Sequence, residues 1–150
     1  MTRRGWYHRW AGRLYVVAVL IAAVAGLAVA PTTAAGPIAG TGFSILAVLW
    51  FGATLIAYLK VRAGKYGEHR RWMIRSYALT CAAISLRIIT PGGLALGFSF
   101  ESSYLVAAWA SWIVNLAIAE AIIAVRPKPT GVPGDQPGSL RPTPQSAAAL

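Results

Sequence analysis

Four apolar runs, each about long enough to cross a bilayer, constrain this chain more than any other feature. They cover about residues 14–30, 38–59, 72–90 and 104–125. A hydrocarbon core about 30 Å thick takes about 20 helical residues. Within lipid, a helix satisfies its own backbone polar groups. The sequence therefore predicts an all-α fold, a four-span transmembrane helical bundle over residues 1–126. Composition agrees: the 150 residues are 57% hydrophobic and 12% charged, with a mean hydropathy of +0.57. A soluble domain of this size needs a more polar surface. The first run is slightly short, and its Trp6, Tyr7, Trp10 and Arg13 flank extends it through the interface.

Cation placement predicts the threading. Arg3, Arg4, Arg9 and Arg13 precede the first run, and Lys60, Arg62, Lys65, Arg70 and Arg71 fill the connection between the second and third. Three more lie in the tail, and the other two connections have none. By the positive-inside rule both termini are cytoplasmic. The net charge of +10 then implies a bilayer with anionic headgroups as partner. Nucleic acid is excluded as a partner, because no recognition motif accompanies the charge. A rival reading takes the first run as a signal peptide ending at Ala28-Val29-Ala30. Pro31 and the three later runs argue against it. Residues 127–150 hold six of the nine prolines, and Pro127 opens them. They are expected to be a disordered tail.

The stretch from Glu68 to Arg87 organises the rest. At about 3.6 residues per turn, His69, Trp72, Met73, Ser76, Thr80, Ala83 and Arg87 share a face that should turn inward. Pro91-Gly92-Gly93 is expected to break this helix. Ala18, Ala22, Gly26 and Ala30 form a small-residue stripe on the first helix, suited to close approach by a neighbour. Cys81, the only cysteine, reads as packing. Two histidines and one cysteine cannot close a four-ligand zinc site, so no metal site is expected.

His8-Arg9-Trp10 with Arg13 and Tyr15 resembles His69-Arg70-Arg71-Trp72 with Arg75 and Tyr77. Trp50 and Trp112 repeat at the same interval. These matches suggest a duplicated helical hairpin with its axis along the membrane normal. Duplication would set His8 and His69 at equivalent positions at the inner mouth. There two imidazoles can sandwich the iron of a haem b. The bland alternative is two interfacial histidines bonded to headgroups or carbonyls.

Arg75 and Glu120 lie at similar depth inside their runs. An isolated charge in hydrocarbon costs about 3 kcal/mol, so the two are expected to pair. Such a pair either locks the bundle or relays a proton or ion in a small transporter. Arg87 lies near the outer end, within reach of Glu101 or outer headgroups. Asn115 is about 140° from Glu120 and belongs elsewhere, whereas Trp109, Trp112, Leu116 and Glu120 share a face. No phosphate loop, hydrolase or metalloprotease motif appears, which speaks against an enzyme.

The residues carrying these patterns are His8-Arg9, Gly12 to Tyr15, Trp50, His69 to Tyr77, Arg87, Trp109, Trp112, Asn115 and Glu120. In this arrangement the chain resembles a bacterial membrane-protein family catalogued as domain of unknown function 2306. The resemblance implies a multi-span inner-membrane protein and no known activity. Three functional readings follow. The first is a non-enzymatic membrane component, whose cytoplasmic-side cluster of His8, His69, Arg75 and Glu120 holds the bundle or binds a lipid, a second copy or a membrane partner protein. The second is a haem b redox protein using His8 and His69. The third is a small transporter using Glu120 and Arg75. Arg13, Trp72, Arg87, Trp112 and Asn115 complete the candidate functional set.

Overall fold

The computed structural model describes residues 3–33 and 35–125, with side chains from residue 6 onward. The expectation for the proline-rich tail lies outside the described residues. Four helices follow one another: α1 (Arg3–Val29), α2 (Gly36–Arg62), α3 (Tyr66–Ala95) and α4 (Phe100–Val125). All four are long and apolar enough to cross a membrane. They extend past the apolar runs because the basic-aromatic flanks contain no proline. Thus α1 carries its helix through Trp6 to Arg13, and α3 begins before Glu68.

Proline and glycine set the ends. Pro31 falls in a single 3-10 turn, Ala30–Thr32, where α1 stops. Gly36 takes a positive φ of 83° and Pro37 sits in the first turn of α2, a position where its missing N–H is no loss. The ends of α2 and α3 are built alike. After α2, Lys65 N donates to Lys60 O and Gly64 N to Val61 O; after α3, Phe98 N donates to Gly93 O and Gly97 N to Leu94 O. Each is a Schellman cap, with Gly64 (φ 71°) and Gly97 (φ 85°) in the left-handed position. The break expected at Pro91-Gly92-Gly93 does not occur: α3 runs through Pro91 to Ala95. Pro91 deprives only the Arg87 carbonyl of its helical donor, and the stop comes where Gly97 closes the cap.

Helices α2, α3 and α4 pack against one another, while the backbone of α1 packs on α2 alone. The core is built of small residues. Ala53, Leu79, Ala82 and Trp112 form its centre with Leu46, Trp50, Trp72 and Trp109 around them. Ala35, Ala39 and Ala108 form a second cluster towards the loop end opposite the basic residues. Close approach needs glycine at the contacts. A Cβ on Gly42 would meet Trp109 Nε1 at 3.1 Å, and one on Gly93 would meet Ser103 Cβ at 2.8 Å.

Three expectations about faces are corrected. Of the small stripe of α1 only Ala30 is buried; Ala18, Ala22 and Gly26 are exposed, and Val19 and Ala23 take the buried positions instead. The polar face of α3 turns inward only over its first half, where Ser76 is buried. Beyond that, burial passes to Leu79 and Ala82, and Ala83 and Arg87 are exposed. Cys81 is exposed rather than packed. The physical reason is common to all three: a helix crossing its neighbours at an angle presents a different strip at each level.

Candidate functional site

Arg75 and Glu120 meet across α3 and α4. Arg75 Nε donates to Glu120 Oε1 at 2.5 Å and Nη2 donates to Oε2 at 2.9 Å. The planar guanidinium thus engages both carboxylate oxygens. Its carbon also lies 4.7 Å from the Trp72 ring centroid, because residues three apart on a helix share a face. The side chains are 24% and 48% exposed, so the pair sits on the flank of the bundle rather than inside it.

A second polar group, unannounced by charge, ties α1, α2 and α3 together. Thr54 Oγ1 lies 2.7 Å from Ser76 Oγ, and the Tyr15 hydroxyl lies 2.8 Å from Ser76 Oγ and 2.9 Å from Thr80 Oγ1. Trp50 Nε1 donates to Thr80 Oγ1 at 3.0 Å. Thr54 also donates to Trp50 O, and Thr80 to Ser76 O. These assignments consume the hydrogens of both threonines, so Ser76 donates to Thr54. The Tyr15 proton is then shared between Ser76 and Thr80. Thr54 and Ser76 are fully buried. Sequence reasoning missed Thr54 and the knot as a whole. The only signal was three hydroxyl residues near mid-helix, which usually bond to their own helix carbonyls and so carry little information.

The two histidines part company. His69 Nδ1 bonds to the Ala57 carbonyl of α2 at 2.8 Å. His8 is exposed on α1. Their expected equivalence fails in register. The rings of Tyr15 and Tyr77 lie 4.9 Å apart, tilted by 48°, and counted from them His8 is seven residues back and His69 eight. One residue on a helix is a rotation of about 100°. The residue of α3 that matches His8 is Arg70.

The wider duplication is also incomplete. Trp50 donates to Thr80, but the position 62 residues before Thr80 is Ala18, and Trp112 Nε1 is buried without a partner. α2 packs on α3, yet the backbones of its counterpart pair, α4 and α1, do not pack together. In place of that contact lies a groove of about 440 Å³. Its lining includes Ala22 and Gly26 of α1, Phe43 and Trp50 of α2, and Tyr104 of α4.

The remaining candidates are dispersed. Arg13 is exposed on α1. Arg87 is exposed and donates to its own helix at Ala83 O, 3.0 Å, instead of reaching Glu101. Asn115 exchanges hydrogen bonds with Ser85 at 3.0 and 3.2 Å. Trp109 donates to Ile38 O, and its ring lies 5.9 Å from that of Trp112. The proposed cluster of His8, His69, Arg75 and Glu120 is therefore not one site. It is an ion pair on α3 and α4, a histidine docked on α2, and a free histidine on α1. Among the described residues no group of three His, Cys, Asp or Glu side chains could hold a metal ion.

Residues 1–123 match the family described as Predicted membrane protein (DUF2306). The chain belongs to this family. No curated protein and no solved structure matches it. The DUF2306 match ends just inside the last turn of α4, so it takes in nearly the whole helical bundle. What it establishes for this chain is a membrane protein with four candidate spans, consistent with the four apolar helices.

Proposed function

We propose that this DUF2306 protein is a non-enzymatic component of a bacterial cytoplasmic membrane, with its amino terminus and its α2–α3 connection in the cytosol. One observation carries the reading. The exposed cations outside the spans gather at a single end: Arg9 and Arg13 on α1, Arg62, Lys65, Arg70 and Arg71 around the α2–α3 connection. Glu68 is the one carboxylate among them, and Lys60 and Lys65 engage it at 2.5 and 3.9 Å. An end with this uncompensated charge favours the anionic cytoplasmic leaflet. The Arg75–Glu120 pair supports a locking role rather than a relay, since each partner satisfies the other on the bundle flank. Impermeant thiol labelling tests the threading in a Cys81→Ser background. A cysteine at Gly64 should be protected in intact cells, and one at Thr33 should react. The reverse pattern overturns the reading.

His69 favours haem b binding as a second reading. A histidine whose Nδ1 donates to a backbone carbonyl presents Nε2 as a fixed, basic lone pair. His8 would have to supply the other ligand from α1. Protein produced with excess haem should show a Soret band that His69→Ala abolishes. A spectrum with no such band eliminates this reading.

A further inference from the structure

We infer that the groove between α1, α2 and α4 binds a prenyl quinone: an uncharged lipid with a hydrocarbon tail and a flat head that carries carbonyl acceptors. Such a site goes beyond the membrane-component reading and does not depend on the threading.

The groove has a volume of about 440 Å³ and lies where the backbones of α4 and α1 leave each other unpacked. It runs along α2 from Phe43 to Trp50, seven residues or about 10.5 Å. Its mean cross-section is then about 42 Å². A helix about 10 Å across needs about twice that area, so a helix of a second copy does not enter. The volume falls within the usual range of a small-ligand site.

The lining divides into parts that match the parts of such a lipid. Ala22 and Gly26 of α1 form a wall of small residues along which a chain can lie. Trp50 offers only its ring, because its Nε1 is occupied with Thr80 Oγ1. Tyr104 and Thr33 line the end opposite the basic residues. The Tyr104 ring is stacked on Phe100 at 5.5 Å and meets Phe43 edge to face at 5.7 Å. A ring held in place before a ligand arrives lowers the cost of binding. The hydroxyls of Thr32, Thr41 and Ser44 all bond to their own backbone segments. Those of Tyr104 and Thr33 have no such partner among the described residues. Two free donors suit the two carbonyl oxygens of a quinone.

Charge disfavours the commoner lipid head. No charged side chain occurs between Arg13 and Lys60. On α4 the charge nearest Tyr104 is Glu101, three residues before it and on the same side of the helix. Arg87 is turned to the carbonyl of Ala83 on its own helix. A phosphate head would thus meet a carboxylate rather than a cation at this end.

The test uses the full chain in phosphatidylcholine nanodiscs, with azido-substituted decylubiquinone as photolabel and plain decylubiquinone as competitor. The label should map to the groove, and the competitor should displace it. Gly26→Leu should cut the labelling about tenfold by filling the space. A Cβ at Gly26 meets nothing within 4 Å, so the helical circular dichroism should not change. Gly52→Leu is the control, because Gly52 is equally open and lies outside the groove; it should label as the wild type does. Thr33→Val with Tyr104→Phe should raise the half-displacing concentration of competitor about tenfold, the loss of two hydrogen bonds. Label scattered over lipid-facing residues, or label that Gly26→Leu leaves intact, overturns the site. An unchanged half-displacing concentration in the Thr33 and Tyr104 variant overturns the quinone head. Phosphatidylcholine with a diazirine in its chain should label the groove only weakly. Strong labelling by it that decylubiquinone does not displace assigns the groove to an acyl chain and overturns the quinone. A disulfide between two copies of an Ala22→Cys, Cys81→Ser chain in membranes, lost on adding Gly26→Leu, assigns the groove to a second copy and overturns it equally.

Discussion

At the scale of single residues, hydrogen-bond bookkeeping separates two kinds of polar group. The Arg75–Glu120 fork was legible in advance, because two opposite charges at equal depth in lipid have little choice but to meet. A double-mutant cycle with Arg75→Gln and Glu120→Gln should give a coupling of about 1 kcal/mol, typical of a half-exposed bidentate pair. Zero coupling in detergent denaturation would mean that the fork contributes nothing to stability. The same Glu120→Gln chain, reconstituted, should behave as the wild type in any flux the protein supports. The hydroxyl knot was not legible. Tyr15, Thr54, Ser76 and Thr80 are each ordinary in a helix, and only the packing of three helices links Tyr15 to Ser76 and Thr80, and Thr54 to Ser76, at 2.7 to 2.9 Å. Tyr15→Phe removes one shared donor and should cost about 1 kcal/mol. Tyr77→Phe, on the exposed ring, should shift stability by no more than about 0.5 kcal/mol.

At the scale of helices, spans are easy to read and faces are hard. Apolar runs located α1 to α4 because lipid imposes a minimum length and forbids charge. Inward faces depend on crossing angles, which a periodicity does not contain. Thus the stripe from His69 to Arg87 holds at Ser76 and is lost by Ala83. Pro91 shows the same limit from the other side. A proline ends a helix only when nothing else supports the next turn, and here α4 supports it at Gly93. Gly93→Val should destabilise the protein by about 1–3 kcal/mol, because the added side chain must displace Ser103. Gly92→Ala, with nothing within 4 Å of its Cβ, should be close to neutral. Equal losses for the two variants would show that helix propensity, rather than the α3–α4 contact, governs this segment.

At the scale of the whole molecule, α1 is the least attached element. It packs on α2 and reaches α3 through the hydrogen bonds and ring of Tyr15. Elements with few buried contacts open first. With Cys81 replaced by serine, a cysteine at Val19 should therefore become reactive at a lower concentration of sodium dodecyl sulfate than one at Leu79. Simultaneous labelling would mean that all four helices unfold together. The incomplete duplication has the same origin. Two hairpins of similar sequence would close a ring, but Ala18 stands where the second half needs a threonine, and the α1–α4 seam stays open.

What the sequence alone determined was the environment of the chain and the number of its crossings. Both follow from sums over many residues, and such sums survive without knowledge of contacts. The tertiary structure alone decided which side chains meet: Tyr15 with Ser76 and Thr80, His69 with Ala57, and His8 with neither histidine nor carboxylate. A shift of one residue turns a helical side chain by about 100°. Partnership is therefore set by crossing angle and register, which depend on every helix at once.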